Sequence, residues 1–363
     1  MIDFNQAALI CVDWGSSNLR AYLIDMQGNV LARLQSDKGV LNFSAGQYGP
    51  ELSALLQPWL SVKSVPVMLA GMVGSAQGWQ DAGYVACPAT LTDLAQNLSP
   101  VVNSVANGEQ LQAYIVPGVK GLSNFGQIDV MRGEEVQIFG ALLASKRQLA
   151  REAQKGQETE DGQESPSVFD SQLVCLPGTH SKWAKVTSGG NESDSHGASS
   201  ITQFSTYMTG ELFALLNTHS ILGKMYQHAA NTNNADAFDG EAFDEGVKTA
   251  RAPGSLLHKL FSARSKVLNK ELQASGVHSY LSGMLIATEV FDMLSVYQSS
   301  DISADEDVKA EESLAPIIIV GAPALSKLYQ RVMATTAFSV HCIDAEVASC
   351  LGILNIANVA GKL

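Results

Sequence analysis

Residues 8–25 read ALICVDWGSSNLRAYLID. The run Ala8-Leu9-Ile10-Cys11-Val12 has no polar interruption, which suits a strand covered on both faces. Asp13-Trp14-Gly15-Ser16-Ser17-Asn18 then packs a carboxylate, a glycine, two hydroxyls and an amide into a turn. Leu19 to Asp25 returns as a second strand, Gln27-Gly28-Asn29 signals another turn, and Val30–Leu34 makes a third strand. Three consecutive strands are not the strand–GxGxxG–helix opening of a dinucleotide-binding fold.

The chemistry of the first turn points to a polyphosphate. Gly15, Ser16, Ser17 and Asn18 supply short donors, Arg20 a charge-assisted one, and Asp13 a carboxylate able to hold Mg²⁺ through water. The alternative is a plain hairpin turn closed by an Asx-type bond from Asp13. Further along, Leu176-Pro177-Gly178-Thr179-His180-Ser181-Lys182-Trp183 repeats the pattern, with Gly178, Thr179, His180, Ser181 and Lys182 between two apolar strands. A third element is the strand Ile317–Val320, which ends in Gly321-Ala322-Pro323 before a helix. Small residues there let the backbone approach a base and ribose closely. The three in this order predict an α/β fold of the actin-like, hexokinase-like ATPase type. It has two ribonuclease-H-like domains, residues 1–172 and 173–363, with ATP and Mg²⁺ in a cleft between them.

Between these landmarks the pattern predicts a helix over Gly49–Leu60, strands over Val65–Leu69 and Gln112–Val116, and a loop over Pro117–Gln127. Helices are expected over Val130–Ala153, Phe204–Leu216 and Ser282–Tyr297. Residues 154–170 and 299–313 are acidic and poor in apolar side chains, and read as solvated loops.

Composition narrows the function classes. The chain has 363 residues, 46% hydrophobic and 16% charged, enough apolar content for full cores. Its 23 Lys plus Arg against 36 Asp plus Glu give a formal charge of −13, so neither nucleic acid nor an anionic membrane surface is expected as a partner. The five cysteines, at 11, 87, 175, 342 and 350, show no CxxC spacing and read as reduced thiols of a cytoplasmic protein. The N-terminal segment lacks a basic region and a long apolar core, so no signal peptide is expected, and no apolar run approaches a membrane span. No His/Cys/Asp set has zinc spacing.

Phosphoryl transfer is mainly positioning and electrostatics, with a carboxylate receiving the acceptor's proton. The candidate segment lies between the two phosphate turns: Ile128-Asp129-Val130-Met131-Arg132-Gly133-Glu134-Glu135. Asp129 is read just ahead of the long helix, where it could also serve as an N-cap. Glu134 falls in the first turn, where the helix dipole favours an acid. The shorter side chain makes Asp129 the preferred base and Glu134 the alternative. Gly71, Met72 and Ser75, in the loop after a buried strand, are expected to line the acceptor pocket.

The strings CVDWGSSNLRAYLID, LAGMVGS, DVMRGEE, LPGTHSKW and IIIVGAPAL resemble the 2-dehydro-3-deoxygalactonokinase family over nearly the whole chain, about residues 8 to 355. DVMRGEE and PGTHSKW are the most specific of them. The resemblance implies ATP-dependent phosphorylation of the 6-hydroxyl of 2-dehydro-3-deoxy-D-galactonate, within galactonate catabolism. The acidic loops are not part of the family pattern. A sugar-acid substrate carries a carboxylate, for which Arg132 is the candidate partner. Rival readings are a kinase for another sugar, a phosphohydrolase of the same fold, and a non-catalytic actin-like scaffold; the Asp129–Arg132–Glu134 cluster favours an enzyme. A homodimer is left open.

Overall fold

The computed structural model describes residues 3–44, 46–104, 110–156, 171–188, 199–230, 238–301 and 315–363. Strands β1 (Leu9–Trp14), β2 (Leu19–Ile24) and β3 (Val30–Ser36) form the opening meander. After α1 (Tyr48–Leu60) come β4 (Val67–Ala70), β5 (Tyr84–Ala86), β6 (Ala89–Thr90), α2 (Leu91–Gln96), β7 (Ser99–Ser104), β8 (Gln110–Ile115), β9 (Gly118–Leu122) and β10 (Ile128–Met131). The long helix α3 (Glu134–Gly156) precedes β11 (Ser171–Leu176), β12 (Ser181–Thr187) and β13 (Ser200–Tyr207). A helical run follows: α4 (Thr209–His219), α5 (Ile221–Ala230), α6 (Gly240–Arg251), α7 (Leu256–Leu268) and α8 (Val277–Asp301). The chain closes with β14 (Ile317–Gly321), α9 (Pro323–Met333), β15 (Val340–Asp344) and α10 (Ala345–Val359).

One six-stranded sheet has the order β3-β2-β1-β4-β8-β7 and another has β15-β14-β11-β12-β13-β6. In the first, β1 is antiparallel to β2 and parallel to β4, and β4 is parallel to β8. With the edge strands β7 and β6 left out and the remaining strands numbered along the chain, both sheets have the order 3-2-1-4-5, the ribonuclease-H-like arrangement. The protein thus has the actin-like ATPase fold, in which the same α/β topology occurs twice. A third, three-stranded sheet has the order β10-β9-β5. By compactness the chain divides into one unit of Met1–Val174, Ala184–Ser205 and Ile343–Leu363, and another of Cys175–Trp183 and Thr206–Cys342.

Local chemistry explains the main boundaries. β1 is buried along almost its whole length, as its unbroken apolar run requires. Thr90 and Asp93 form a capping box on α2, while Asp239 and Asp344 cap α6 and α10. Pro323 opens α9, where a missing N–H costs nothing. The core of the first unit gathers Ile10, Val12 and Trp14 with Leu52, Leu56 and Leu69. The five cysteines are all free. No helix among the described residues is long and apolar enough to cross a membrane.

Several elements differ from the expected ones. The helix expected from Val130 starts at Glu134, because Ile128–Met131 pairs with β9 as a strand. The loop expected over Pro117–Gln127 contains β9. The helix expected from Phe204 is strand β13 up to Tyr207, and α4 starts only at Thr209. Residues 154–156 and 299–301 end α3 and α8, whereas the rest of both acidic stretches, 157–170 and 302–313, lies outside the described residues.

Candidate active site

In the first unit, a cluster of acids forms where β1, β4 and α3 come together. β1 delivers Asp13, whose side chain is 31% exposed and 4.0 Å from Arg20, its cross-strand neighbour. β4 ends one residue before Gly71, which has φ +94°, a conformation that favours glycine. A Cβ at Gly71 would lie 2.9 Å from the Trp14 carbonyl oxygen and 3.3 Å from Asp13 Oδ1. A Cβ at Gly133, just ahead of α3, would in turn lie 3.2 Å from Gly71 Cα. This close approach carries the first residue of α3, Glu134, toward Asp13. Desolvation raises the Asp13 pKa, Glu134 raises it further, and Arg20 partly offsets both.

The start of α3 holds its own acids in place. The backbone N–H of Arg132 donates to Glu134 Oε2 at 3.0 Å. The N–H of Gly133 donates to both oxygens of Glu135, at 2.8 and 2.7 Å. Glu135 is fully buried, and burial with the neighbouring Glu134 charge pushes its pKa up to about 8.

Asp129 lies elsewhere. It sits within β10, ahead of the helix, and its Oδ1 accepts from the next residue's N–H at 2.8 Å. It therefore does not cap α3, contrary to the sequence expectation. Arg132 is enclosed, with a side chain only 4% exposed. Its Nη2 donates to the Gly83 carbonyl at 2.9 Å and lies 3.8 Å from Asp81, and its guanidinium stacks 4.3 Å from the Tyr84 ring centroid. Nε and Nη1 are buried and have no hydrogen-bond partner among the described residues.

The turn after β1 is braced from behind. Gly15 N–H donates to the Asn18 carbonyl at 2.9 Å, and the carbonyls of Gly15 and Ser16 accept from Val40 and Leu41. The Ser16 and Ser17 hydroxyls make no hydrogen bond among the described residues. Met72 opens a short 3₁₀ turn, and the Ser75 hydroxyl closes it by donating to the Met72 carbonyl at 2.8 Å. Ser75 thus serves its own loop.

The second unit holds a cavity of about 490 Å³. Gly178 and Thr179 of the β11–β12 turn form one wall, with Thr209 and Gly210 at the start of α4. A Cβ at Gly210 would run into the Gly178 carbonyl, so the turn and the helix start can touch only because that position is glycine. His278 and Ser282 of α8 form another wall, and Leu325 and Leu328 of α9 a third. Of the residues expected around the second phosphate turn, only Gly178 and Thr179 line this cavity. His180 is exposed and pairs with Glu211 at 2.5 Å, Ser181 is fully buried, and Lys182 is buried on β12. Gly321, Ala322 and Pro323 also stand back from it, and the helix that Pro323 opens provides the lining instead.

The lining from α4 and α8 had no counterpart in the sequence motifs. A signal did exist: Ser275, His278, Ser279 and Ser282 recur at helical spacing ahead of an otherwise apolar run. Among the described residues no group of three or more His, Cys, Asp or Glu is arranged to hold a metal ion.

Comparison with known proteins bears on both sites. The family model for 2-keto-3-deoxy-galactonokinase matches residues 13–356. The 2-dehydro-3-deoxygalactonokinase of Escherichia coli (strain K12) is 31% identical over 357 residues, covering 98% of this chain and 99% of that one. A Rhizobium meliloti (strain 1021) protein named "Probable 2-dehydro-3-deoxygalactonokinase DgoK1" is 29% identical over 343 residues, covering 94% of each chain. A crystal structure from Sinorhizobium meliloti, of a candidate 2-dehydro-3-deoxygalactonokinase, superposes with a TM-score of 0.69 at 28% identity, covering 98% of this chain and 100% of that one.

Proposed function

Because the chain belongs to the 2-keto-3-deoxy-galactonokinase family, we propose that it transfers the γ-phosphoryl group of ATP to the 6-hydroxyl of 2-dehydro-3-deoxygalactonate in galactonate catabolism. The observation that carries the reading is the approach of Asp13 and Glu134 around Gly71, which pairs two carboxylates with different tasks. The first unit then handles the acceptor and the second the nucleotide, with base and ribose in the 490 Å³ cavity. The acceptor residues fall in the domain expected at 1–172 and the cavity in that expected at 173–363, although Ala184–Ser205 and Ile343–Leu363 pack with the first unit, in a cytoplasmic enzyme.

Glu134 is the proton acceptor in this reading. Its Oε2 is engaged by the Arg132 N–H, which fixes the carboxylate and leaves Oε1 for the acceptor hydroxyl. Asp13 is the residue that would hold Mg²⁺. A carboxylate that is desolvated and beside a like charge is stabilised by a cation, and oxygen donors suit this one. When bound, the ion neutralises charge on the phosphates. The braced turn at Gly15–Asn18 presents the free Ser16 and Ser17 hydroxyls, with Arg20, to phosphate oxygens. Arg132 enters as a buried brace of the Asp81–Tyr84 segment, and its unpartnered Nε and Nη1 are the groups that would meet a substrate carboxylate.

An ADP-release assay over a panel of sugar acids and neutral sugars tests the proposal. 2-Dehydro-3-deoxygalactonate should be preferred over galactose by far more than tenfold in kcat/KM. Equal rates with both, or ADP release needing no acceptor, would reject it in favour of another kinase or a phosphohydrolase.

A further inference from the structure

Glu289 is an acid in the apolar stretch of α8, and only 2% of it is exposed. Four polar side chains surround its carboxylate. Trp183 Nε1 donates to Oε1 at 2.7 Å and the Tyr329 hydroxyl to Oε2 at 2.9 Å. The Thr209 and Ser181 hydroxyls also favour its charged form. These side chains come from β12, the start of α4, and α9, which with α8 are the elements around the cavity.

The bonds have a direction. An ionised carboxylate only accepts, so Tyr329 must donate its proton to Glu289. The Tyr329 oxygen is then free to accept from the Ser181 hydroxyl, 2.9 Å away. Ser181 Oγ in turn accepts the backbone N–H of Gly178 at 3.4 Å. A single chain therefore runs Gly178 N–H to Ser181, to Tyr329, to Glu289, from the cavity wall into the core. Thr209, on the same wall, also favours the charged form of this carboxylate.

We propose that Glu289 is a positioning residue for nucleotide binding, which sets the shape of the Gly178–Thr179 turn through this one-way hydrogen-bond chain. The proposal rests on the placement of the nucleotide in the second unit's cavity. A buried carboxylate is expensive to keep unless its donors are all in place. Burial raises the Glu289 pKa and the donors pull it down. Tyr329 itself lines the cavity, and Ser181 joins it to Gly178 on the wall, as a positioning role requires. Glutamine in its place carries both a donor and acceptors, so the direction of the chain is no longer imposed.

Steady-state kinetics and direct ATP binding on Glu289→Gln and Tyr329→Phe test this. Both variants should raise KM for ATP by about tenfold, the loss expected for one hydrogen bond in a buried network. KM for the sugar acid should stay within about threefold of wild type. A lower melting temperature with unchanged KM for ATP, or an equal rise in both KM values, would overturn the proposal. If Glu289→Gln does not fold, Tyr329→Phe decides alone, because it breaks the chain and leaves the carboxylate its other donors. A third variant, Ser282→Trp, fills the cavity from α8 two turns away from Glu289, with Leu325→Trp as its replacement if it does not fold. Normal ATP binding by the cavity-filling variant sinks the nucleotide placement, and the proposal with it. Lost binding there, with wild-type KM in both network variants, sinks Glu289 alone.

Discussion

The turn after β1 and the turn after β11 occupy the same place in the same topology, yet they are built for different work. In the first, the Ser16 and Ser17 hydroxyls make no hydrogen bond among the described residues, and Asp13 lies partly exposed beside Glu134. In the second, the hydroxyl of Ser181 is fully buried in a chain that ends on Glu289, and His180 forms a surface pair with Glu211. In the proposed function the first turn faces reactants, and the second holds a cavity wall. One hairpin position can thus serve either as the reactive edge or as an anchor, depending on whether its polar groups point to solvent or into the core.

The largest expected effect sharpens the reactive side. Glu134→Gln should lower kcat by roughly two to four orders of magnitude, the usual contribution of a general base. Asp129→Asn, on β10, should leave kcat within about threefold. A matched pair of single-turnover measurements settles the order, and the reverse ranking would return the role to Asp129. Next comes Asp13→Asn, which should cost about a hundredfold to a thousandfold in kcat by removing a charge that organises the phosphates. Near-wild-type turnover at limiting Mg²⁺ would be incompatible with that role.

A third test concerns Glu135 and stability. Its folded pKa of about 8 lies above the ordinary carboxylate value of 4.5, so the folded state binds the extra proton between those two limits. Stability from this group is full below about pH 4.5 and is lost as pH rises toward 8, because there the native state holds more protons than the unfolded one. The loss should be on the order of 2–4 kcal/mol. In Glu135→Gln, urea midpoints measured from pH 5 to 8 should be flatter than in wild type, and an unchanged slope would count against it. The smallest effect separates the two turns directly. Ser181→Ala should lower stability by about 1–3 kcal/mol, since it leaves buried partners unsatisfied, whereas Ser16→Ala should change it by less than about 0.5 kcal/mol. Equal denaturation midpoints for the two variants would erase the distinction drawn here.

Much of this fold is written locally. The strands of the opening meander, the strand β14 with the helix behind Pro323, and the glycine turn at 178 are each set by a few adjacent residues. Their apolar runs, turn residues and caps act over one turn of chain. Elements were misread where the local pattern suits two structures. Val130 and Met131 continue the apolar spacing of α3, but pairing with β9 claims them for a strand. Phe204 fits a helical pattern, yet it lies fully buried in β13. Gly118 and Gly121 look like loop residues, but both belong to β9.

By itself the sequence determined the opening meander, the glycine turn at 178, the family, and the presence of acids at Asp13 and Glu134, since each depends on residues close together in the chain. Only the tertiary structure decided which acid meets Asp13. That choice depends on Gly71 and Gly133 approaching within 3.2 Å of a hypothetical Cβ, a contact between segments 62 residues apart (133 − 71). Likewise, no local pattern could assemble Gly178, Thr209, His278 and Leu328 into one cavity. Side chains from four separate elements meet only after packing has set the distances between those elements, because hydrogen bonds and van der Waals contacts act over a few ångströms of space, whatever the separation along the chain.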